Sequence, residues 1–261
     1  MPRIFLPLIN LRENQVSISG EKARYLTTVL RCATGDELIV FDGQGNCLRT
    51  RIMKIDRREV LAEVLKEFDC NMESPLNIIL VQSLLKGQKM DMVIQKATEL
   101  GVKEVQPIIT ERTQPRETRK VARWQKIAEE ASRQSGRSIV PIIREPAELN
   151  QFLAGPDQLG RHGDTETRRH GEMKGFIFWE EGGVSLKEAV HKICTSTIHR
   201  VAVSPIHILI GPEGGLTNEE ITTAEKRGLI VTTLGKRILR AETAAISAIT
   251  LVQFLLGDLG Y

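Results

Sequence analysis

Residues 209–220 of this 261-residue chain have the sequence LIGPEGGLTNEE. An apolar strand runs here into a turn with three glycines, and the Thr-Asn-Glu-Glu that follows is a capping box that begins a helix. Glycines let a backbone approach a ligand closely, and α/β sheets bind ligands at the carboxyl ends of their strands. The stretch therefore predicts a ligand-binding turn, whereas glycine and proline on their own would favour an ordinary strand-to-helix connection. It matches neither of the glycine motifs that bind nucleoside triphosphates and dinucleotides.

From Leu76 onward the chain alternates apolar strands with amphipathic helices. Strands are predicted over residues 78–81, 105–109, 139–143, 176–179, 206–210 and 229–234, and helices over 90–100, 121–132, 186–193, 218–227 and 242–256. This alternation predicts an α/β domain whose largely parallel sheet is covered on both faces. Residues 155–175 show no periodicity, and we expect a mobile surface loop there.

Residues 1–70 differ, because their apolar runs are short and are separated by turn residues. The Asp-Gly-Gln-Gly sequence at 42–45, flanked by strand-like runs, predicts a hairpin, and one helix is predicted near residues 22–30. Residues 69–75 are polar and end in proline, which is typical of a linker. We therefore expect a small, mostly β domain over 1–70 and the α/β domain over 71–261.

The composition argues against a disordered, disulfide-rich or membrane-spanning protein. The chain is 41% hydrophobic and 26% charged with a net charge of +3, values typical of a globular protein rather than a disordered chain. Its four cysteines, at 32, 47, 70 and 194, suggest neither a metal site nor a disulfide framework, so we expect a reducing cytoplasm and no metal. No secretory signal is expected, and the longest apolar run, 244–256, is too short to span a membrane.

A second strand end lies at residues 234–244, which have the sequence LGKRILRAETA. Glu242 is in the first turn of the predicted helix, where the helix dipole favours a carboxylate. Arg240 has no comparable structural role, so it is a candidate for chemistry. A solvated basic rim is the alternative interpretation of Lys236, Arg237 and Arg240.

Basic residues are concentrated between Glu111 and Arg144. This segment contains nine Lys or Arg and four Glu, which gives a local net charge of +5. Several of them recur at helical spacing beside an apolar set, so one flank of the predicted helix is basic while another packs. Such a stripe is typical of a surface that binds a polyanion, and its binding should weaken steeply with salt. A merely solvated helix surface is the alternative.

Five segments together resemble the ribosomal RNA small subunit methyltransferase E family of the SPOUT superfamily. They are KMDMVIQKATELGV (89–102), PIITERT (107–113), RWQKIAEEASRQSGR (123–137), LIGPEGGLTNEE (209–220) and LGKRILRAETAAISAI (234–249). The resemblance implies an N-terminal PUA-like β-barrel that docks RNA and a C-terminal α/β domain with a trefoil knot that binds S-adenosylmethionine. It also implies a homodimer that methylates N3 of a uridine in small-subunit (16S) ribosomal RNA.

The resemblance further implies roles for individual residues. Cofactor binding is expected from three segments: Trp179, Glu180 and Glu181; Ile210, Gly211, Glu213, Gly214 and Gly215; and Leu234, Gly235, Ile238 and Leu239. Arg240 is expected to stabilise the anion of the target base, and Glu242 to orient Arg240 or relay a proton. Contacts with RNA phosphates are expected from Arg112, Arg116, Arg123 and Arg137.

Two other functions stay open from the sequence alone. One is a SPOUT enzyme with another target, such as a transfer RNA base or a ribose 2′-hydroxyl. The other is a non-catalytic RNA-binding factor in ribosome assembly that keeps the fold and has lost the chemistry. Binding of S-adenosylmethionine would separate the second from an enzyme.

Overall fold

The structure is a computed structural model that describes residues 1–7, 11–12, 14–56, 58–70, 72–155, 173–195 and 204–260. It divides into two compact units. Unit 1 consists of Met1–Glu73 and Ala128–Val140, and unit 2 consists of Ser74–Ile127 and Pro141–Tyr261. Of the loop expected over 155–175, residues 156–172 lie outside the described residues, and Gly175 already belongs to a strand.

Unit 1 contains a six-stranded sheet, as the short apolar runs predict. Its strands are β1 (Arg3–Phe5), β2 (Leu11–Arg12), β3 (Gln15–Ser19), β4 (Glu37–Phe41), β5 (Asn46–Ile55) and β6 (Glu59–Asp69), in the order β1-β4-β5-β6-β3-β2. All neighbours are antiparallel except β1 and β4. Alternate residues point into the core, for example Val16 and Ile18 of β3, which are fully buried. The helix α1 (Gly20–Arg24) follows β3 and continues as one wide turn over Tyr25–Val29.

The first unit is larger than the predicted first domain, because it includes residues 128–140, which the sequence placed in the second domain. The carboxylate of Glu73 accepts hydrogen bonds from the backbone N–H groups of Ser138 (3.1 Å) and Ile139 (3.0 Å). Ile139 also forms bridges with Gly43 and Gln44 in the predicted hairpin turn. These contacts join segments that are far apart in sequence, so no local pattern could have indicated them.

The expectation of four unpaired cysteines is wrong for two of them. Cys47, in β5, and Cys70, just after β6, form a disulfide with their Cα atoms 6.1 Å apart. The hairpin register brings them together, since Asn46 pairs with Asp69. A separation of 23 residues is no recognisable motif, and the pairing follows from strand register alone. The cysteine pattern therefore no longer argues for a reducing compartment. Cys32 and Cys194 are free thiols.

Unit 2 is the predicted α/β domain, with an all-parallel sheet. Its strands are β7 (Ile78–Ser83), β8 (Glu104–Ile109), β9 (Ile142–Ile143), β10 (Ala147–Glu148), β11 (Gly175–Phe178), β12 (Val184–Ser185), β13 (Ile206–Ile210) and β14 (Leu229–Thr233). Their order is β10-β8-β7-β13-β11-β14-β12, and β9 pairs with β8. The strand predicted over 139–143 is shorter than expected, because residues 139–140 belong to unit 1.

Five of the six helices of the α/β alternation begin and end close to the predicted positions, and the sixth, Leu149–Ala154, was not predicted. They are α2 (Lys89–Glu99), α3 (Val121–Ser135), α4 (Leu149–Ala154), α5 (Leu186–Thr195), α6 (Asn218–Lys226) and α7 (Ala241–Leu256), and the division between the units falls within α3. The apolar α7 packs against β13 and α2 through a face that includes Ala245, Ala248 and Ile249. Within the described residues, no helix has the length and apolar character to cross a membrane. The trefoil knot stays a prediction, since sheet order does not determine how loops pass through one another.

Three central strands place the functional segments at one edge of the sheet. Phe178 at the end of β11 is in register with Ile210 of β13 on one side and Thr232 of β14 on the other. Because parallel strands end at the same edge, the segments that follow these three strands lie beside one another. They are the three segments from which cofactor binding is expected.

Candidate functional site

The turn that follows β13 has the geometry that its glycines predict. Thr217 is the N-cap of α6, and the capping box with Glu220 is formed in both directions. Gly215 has φ +73°, and a Cβ there would collide with the Glu180 carboxylate. At Gly211 a Cβ would come within 2.8 Å of the Leu216 side chain. The positive φ favours glycine at 215, and the close approach of Leu216 favours it at 211.

The loop after β8 holds this glycine turn from one side. The guanidinium of Arg112 donates to the carbonyl oxygen of Gly214 (3.1 Å), and the backbone N–H of Glu111 donates to the Glu220 carboxylate (2.8 Å). Arg112, expected to contact RNA, thus also fixes a carbonyl of the glycine turn. Its position on the sequence indicated only charge and gave no sign of this contact.

The second turn connects β14 to α7 and leaves its backbone accessible. Gly235 has φ +110°, and no described atom lies within 4 Å of where its Cβ would be. Ile238 is 83% exposed, an unusual position for a large apolar side chain. Arg240 is the exposed N-cap of α7, and its side chain makes no capping hydrogen bond. The turn therefore presents apolar and cationic groups around open backbone.

Unlike the exposed Arg240, Glu242 is buried, with 9% of its surface exposed. Its Oε2 is buried and has no hydrogen-bond partner within the described part of the chain. Its position in the first turn of α7 fits the predicted helix-dipole role. An unsatisfied buried carboxylate oxygen is costly to maintain, and such groups concentrate at functional sites.

Lys89, at the start of α2, brings the two turns together. Its ammonium donates to Oε1 of Glu213 (2.9 Å) and lies 3.9 Å from Oε2 of Glu242. The backbone N–H of Lys86 also donates to Glu213 (3.2 Å). The glycine turn and the start of α7 therefore meet at one cation, as expected if the two turns form one site.

The electrostatics of Glu213 reflect this arrangement. Partial burial acts to raise the pKa of Glu213. Hydrogen bonds from Lys89 and from the backbone N–H groups of Glu213 and Lys86 outweigh that effect, so the pKa is lowered. Sequence reasoning missed Lys89 as a site residue. The only available signal is that Lys89 begins the KMDMVIQKATELGV segment, and its partner Glu213 lies 124 residues away.

The strand end at Trp179–Glu181 lies between the two turns, because β11 lies between β13 and β14. The backbone N–H of Trp179 donates to the carbonyl of Thr232 (3.1 Å) at the end of β14. The indole Nε1 of Trp179 is buried and finds no hydrogen-bond acceptor among the described residues. Glu180 lies beside Gly215. All three predicted segments therefore border the same space at the sheet edge.

The four arginines expected to contact RNA fall into different environments. Arg116 and Arg123 are more than half exposed and pair with Glu148 (3.3 Å) and Asp91 (2.7 Å) at the surface. Arg112 is exposed and bound to the glycine turn. All three remain accessible to a ligand.

The expectation that Arg137 contacts RNA phosphates is wrong, because its side chain is buried. Its side chain is 3% exposed and forms an ion pair with Glu73 at 2.7 Å. The helix α3 ends at Ser135, and Gly136 has φ +81°. The chain therefore turns away before residue 137, and Arg137 does not share the exposed surface of Arg116 and Arg123 that the resemblance had implied for it.

Comparisons with known proteins agree with this geometry. A family model described as an RNA methyltransferase domain matches residues 72–253, and one described as an RNA methyltransferase PUA domain matches residues 18–65. The ribosomal RNA small subunit methyltransferase E of Buchnera aphidicola (subsp. Acyrthosiphon pisum) is 33% identical over 99% of this chain and 95% of that protein.

Two solved structures are similar along nearly the whole chain. One is the ribosomal RNA small subunit methyltransferase E of Neisseria gonorrhoeae bound to S-adenosyl methionine, with a TM-score of 0.83 and 35% identity over 99% of both chains. The other is a Legionella pneumophila methyltransferase in complex with the same cofactor, with a TM-score of 0.81 and 31% identity over 98% of both chains.

Proposed function

From the premise that the chain belongs to the ribosomal RNA small subunit methyltransferase E family, we propose that it methylates N3 of a uridine in 16S ribosomal RNA. The methyl donor is S-adenosylmethionine. The observation that carries the proposal is the meeting of the glycine turn and the start of α7 at Lys89, with Arg240 exposed beside them. This arrangement brings residues that can bind a donor next to groups that can act on a target base.

The residues at the sheet edge fit the cofactor. S-adenosylmethionine supplies a methyl group attached to a positively charged sulfur. Open backbone at Gly235, the exposed apolar side chain of Ile238 and the unpaired indole N–H of Trp179 suit a ligand with an apolar ring and polar edges. We assign binding to all three segments: Trp179, Glu180 and Glu181; Ile210, Gly211, Glu213, Gly214 and Gly215; and Leu234, Gly235, Ile238 and Leu239.

The reaction needs a uridine whose N3 has lost its proton. N3 is an imide nitrogen that is protonated at neutral pH, and the anion carries its charge on the two flanking carbonyl oxygens. We assign Arg240 to those oxygens, because its guanidinium is a donor exposed at the start of α7, two residues before Glu242. A donor placed where charge develops contributes about 3–4 kcal/mol to transition-state stabilisation. Glu242 is the candidate proton acceptor.

RNA binding is assigned to both units. The PUA match in residues 18–65 supports unit 1 as the RNA-docking domain, and the match in 72–253 supports unit 2 as the methyltransferase domain. On unit 2, we assign phosphate contacts to Arg112, Arg116 and Arg123, which are exposed. A substrate in 16S ribosomal RNA, as a small subunit or an assembly intermediate, implies that the protein acts in the cytoplasm.

A homodimer is supported by an apolar surface on unit 2. Leu251, Phe254 and Leu255 of α7 are 40–58% exposed, and Met92 of α2, which packs against α7, is 48% exposed. Clustered exposed apolar side chains are typical of an interface. A second copy related by two-fold symmetry would cover this surface with the same residues.

Labelled methyl transfer tests the proposal. Small subunits from cells that lack the modification are incubated with the protein and labelled S-adenosylmethionine, and nucleosides are identified by mass spectrometry. We expect 3-methyluridine in 16S ribosomal RNA. A labelled ribose, or label in transfer RNA only, would refute the target. Calorimetry without S-adenosylmethionine binding would instead favour a non-catalytic assembly factor.

A further inference from the structure

Lys89, Glu213 and Glu242 form a three-member charged cluster whose members come from α2, the glycine turn and α7. The ammonium of Lys89 is held by a hydrogen bond to Glu213 (2.9 Å), and Glu213 is itself held by the backbone N–H of Lys86 (3.2 Å). The Lys89 ammonium is thus held on one side by the Glu213 carboxylate, which also accepts a backbone hydrogen bond. On the other side, it faces Glu242 at 3.9 Å.

The distance between the Lys89 ammonium and Glu242 allows electrostatic attraction but is too long for a hydrogen bond. At 3.9 Å, Lys89 attracts the carboxylate but does not donate a hydrogen bond to it. Oε2 of Glu242 therefore keeps an unused lone pair, and no described group donates to it. Arg240 lies two residues before Glu242 on the chain, and Lys86 precedes α2. A negative charge held in place with a free acceptor atom is what a base requires.

We propose that Lys89 is a positioning residue for the methyl transfer: anchored by Glu213, it holds the Glu242 carboxylate with Oε2 free to take the N3 proton of the target uridine. This inference rests on the proposed function. In the step, the bond from N3 to the methyl carbon forms while the bond from that carbon to sulfur breaks. The electron pair of the broken bond leaves with the sulfur, and the N3 proton passes to Glu242.

A purely structural alternative makes different predictions. If Lys89 acted only by tying α2 to the glycine turn through Glu213, its loss would weaken cofactor binding and would lower kcat equally whether or not Glu242 is present. A positioning role instead requires that the effect of Lys89 depend on Glu242. A double-mutant cycle measures this dependence directly.

The test compares Lys89→Gln, Lys89→Arg, Glu242→Gln and the Lys89→Gln/Glu242→Gln double variant with the wild type. The matched control is Lys96→Gln, which removes another ion-paired lysine from α2, one whose partner is the exposed Glu99 (2.8 Å). Thermal melts confirm folding, calorimetry gives the Kd of S-adenosylmethionine, and kcat and KM are measured between pH 7 and 9.

We expect Glu242→Gln to lower kcat by about 10²-fold, as for loss of a general base, and Lys89→Gln to lower it by about 10-fold. In the Glu242→Gln background, the Lys89 substitution should change kcat by less than about 2-fold. Lys89→Arg should restore most of the activity, and the cofactor Kd should stay within a few-fold. Both Gln variants should recover relative to wild type at pH 9, because uridine N3 then ionises without a protein base.

The outcomes distinguish the inference from the function on which it rests. Absence of 3-methyluridine with the wild-type protein would overturn the proposed function. A normal wild-type product together with an undiminished Lys89→Gln effect in the Glu242→Gln background would overturn the inference alone. So would a cofactor Kd weakened more than about tenfold by Lys89→Gln, or a kcat unchanged by it.

Discussion

Replacing Arg137 with methionine should destabilise unit 1 and leave RNA contacts unchanged. Arg137 is 2% exposed, and its guanidinium contacts both carboxylate oxygens of Glu73, at distances from 2.7 to 3.3 Å. Glu73 is also buried, with a side chain 7% exposed. Removing the cation therefore leaves a carboxylate in a place where water cannot reach it easily. Such a loss costs about 3–5 kcal/mol.

Replacing Glu73 as well should recover part of that loss of stability. Oε1 of Glu73 accepts from the backbone N–H groups of Ser138 and Ile139, and a glutamine at 73 keeps an oxygen that can accept both. Adding Glu73→Gln to Arg137→Met removes the stranded charge but retains these acceptors. The double variant should therefore regain about 2 kcal/mol, since neutral hydrogen bonds replace an uncompensated buried charge.

Hydrogen exchange in β5 and β6 is the suitable assay, because it reports the free energy of opening within unit 1. A loss of 3–5 kcal/mol corresponds to exchange that is about 10²- to 4 × 10³-fold faster. The control is Arg51→Met, which removes a half-exposed partner of Glu37 (2.9 Å) within unit 1 and should cost less than about 1 kcal/mol. Unchanged exchange in Arg137→Met, together with a weaker salt dependence of RNA binding, would refute the reasoning and return Arg137 to the RNA surface.

Three further predictions concern the site. Arg240→Ala should lower kcat by about 10²-fold or more while the Kd of S-adenosylmethionine stays within a few-fold; an unchanged kcat contradicts the assigned role. Arg116→Gln combined with Arg123→Gln should weaken RNA binding and reduce the slope of log K against log salt by about two, measured by filter binding, and an unaltered slope excludes phosphate contacts. Gly215→Ala should weaken cofactor binding by about tenfold in calorimetry, because φ is +73° and its Cβ meets Glu180; an unaltered Kd means the turn can adjust.

Local patterns predicted the longer strands and helices of unit 2, but not α4 or the two-residue strands β10 and β12. The alternation of apolar strands and amphipathic helices predicts the parallel sheet, and the capping box at Thr217 marks the start of α6 to the residue. What local patterns could not predict are pairings across long separations. The Cys47–Cys70 disulfide depends on the register of β5 and β6, and the place of residues 128–140 in unit 1 depends on Glu73.

The candidate site was predictable to the extent that it consists of strand ends. Parallel strands end at one edge, so the segments after β11, β13 and β14 had to lie close together once their strand order was central. Lys89 was not predictable in this way, because it comes from the start of a helix and its role depends on two carboxylates more than 120 residues away. Charge along the sequence does not indicate which opposite charge a residue will meet.

On the basic flank of unit 2, a count of charges along the sequence also fails to predict how strongly RNA is attracted. Arg116 and Arg123 are already paired with Glu148 and Asp91, so the charge counted along the sequence overstates the field that RNA meets. The Arg116–Glu148 pair is exposed on both sides, so it contributes less than about 1 kcal/mol and a phosphate can replace its carboxylate at little cost to stability. The Asp91 carboxylate that pairs with Arg123 is only 14% exposed, so its replacement costs more. The buried pair of Arg137 lacks this property, because its separation strands a charge. Exposure of the pair, rather than the number of arginines, thus decides which residues can serve an RNA surface.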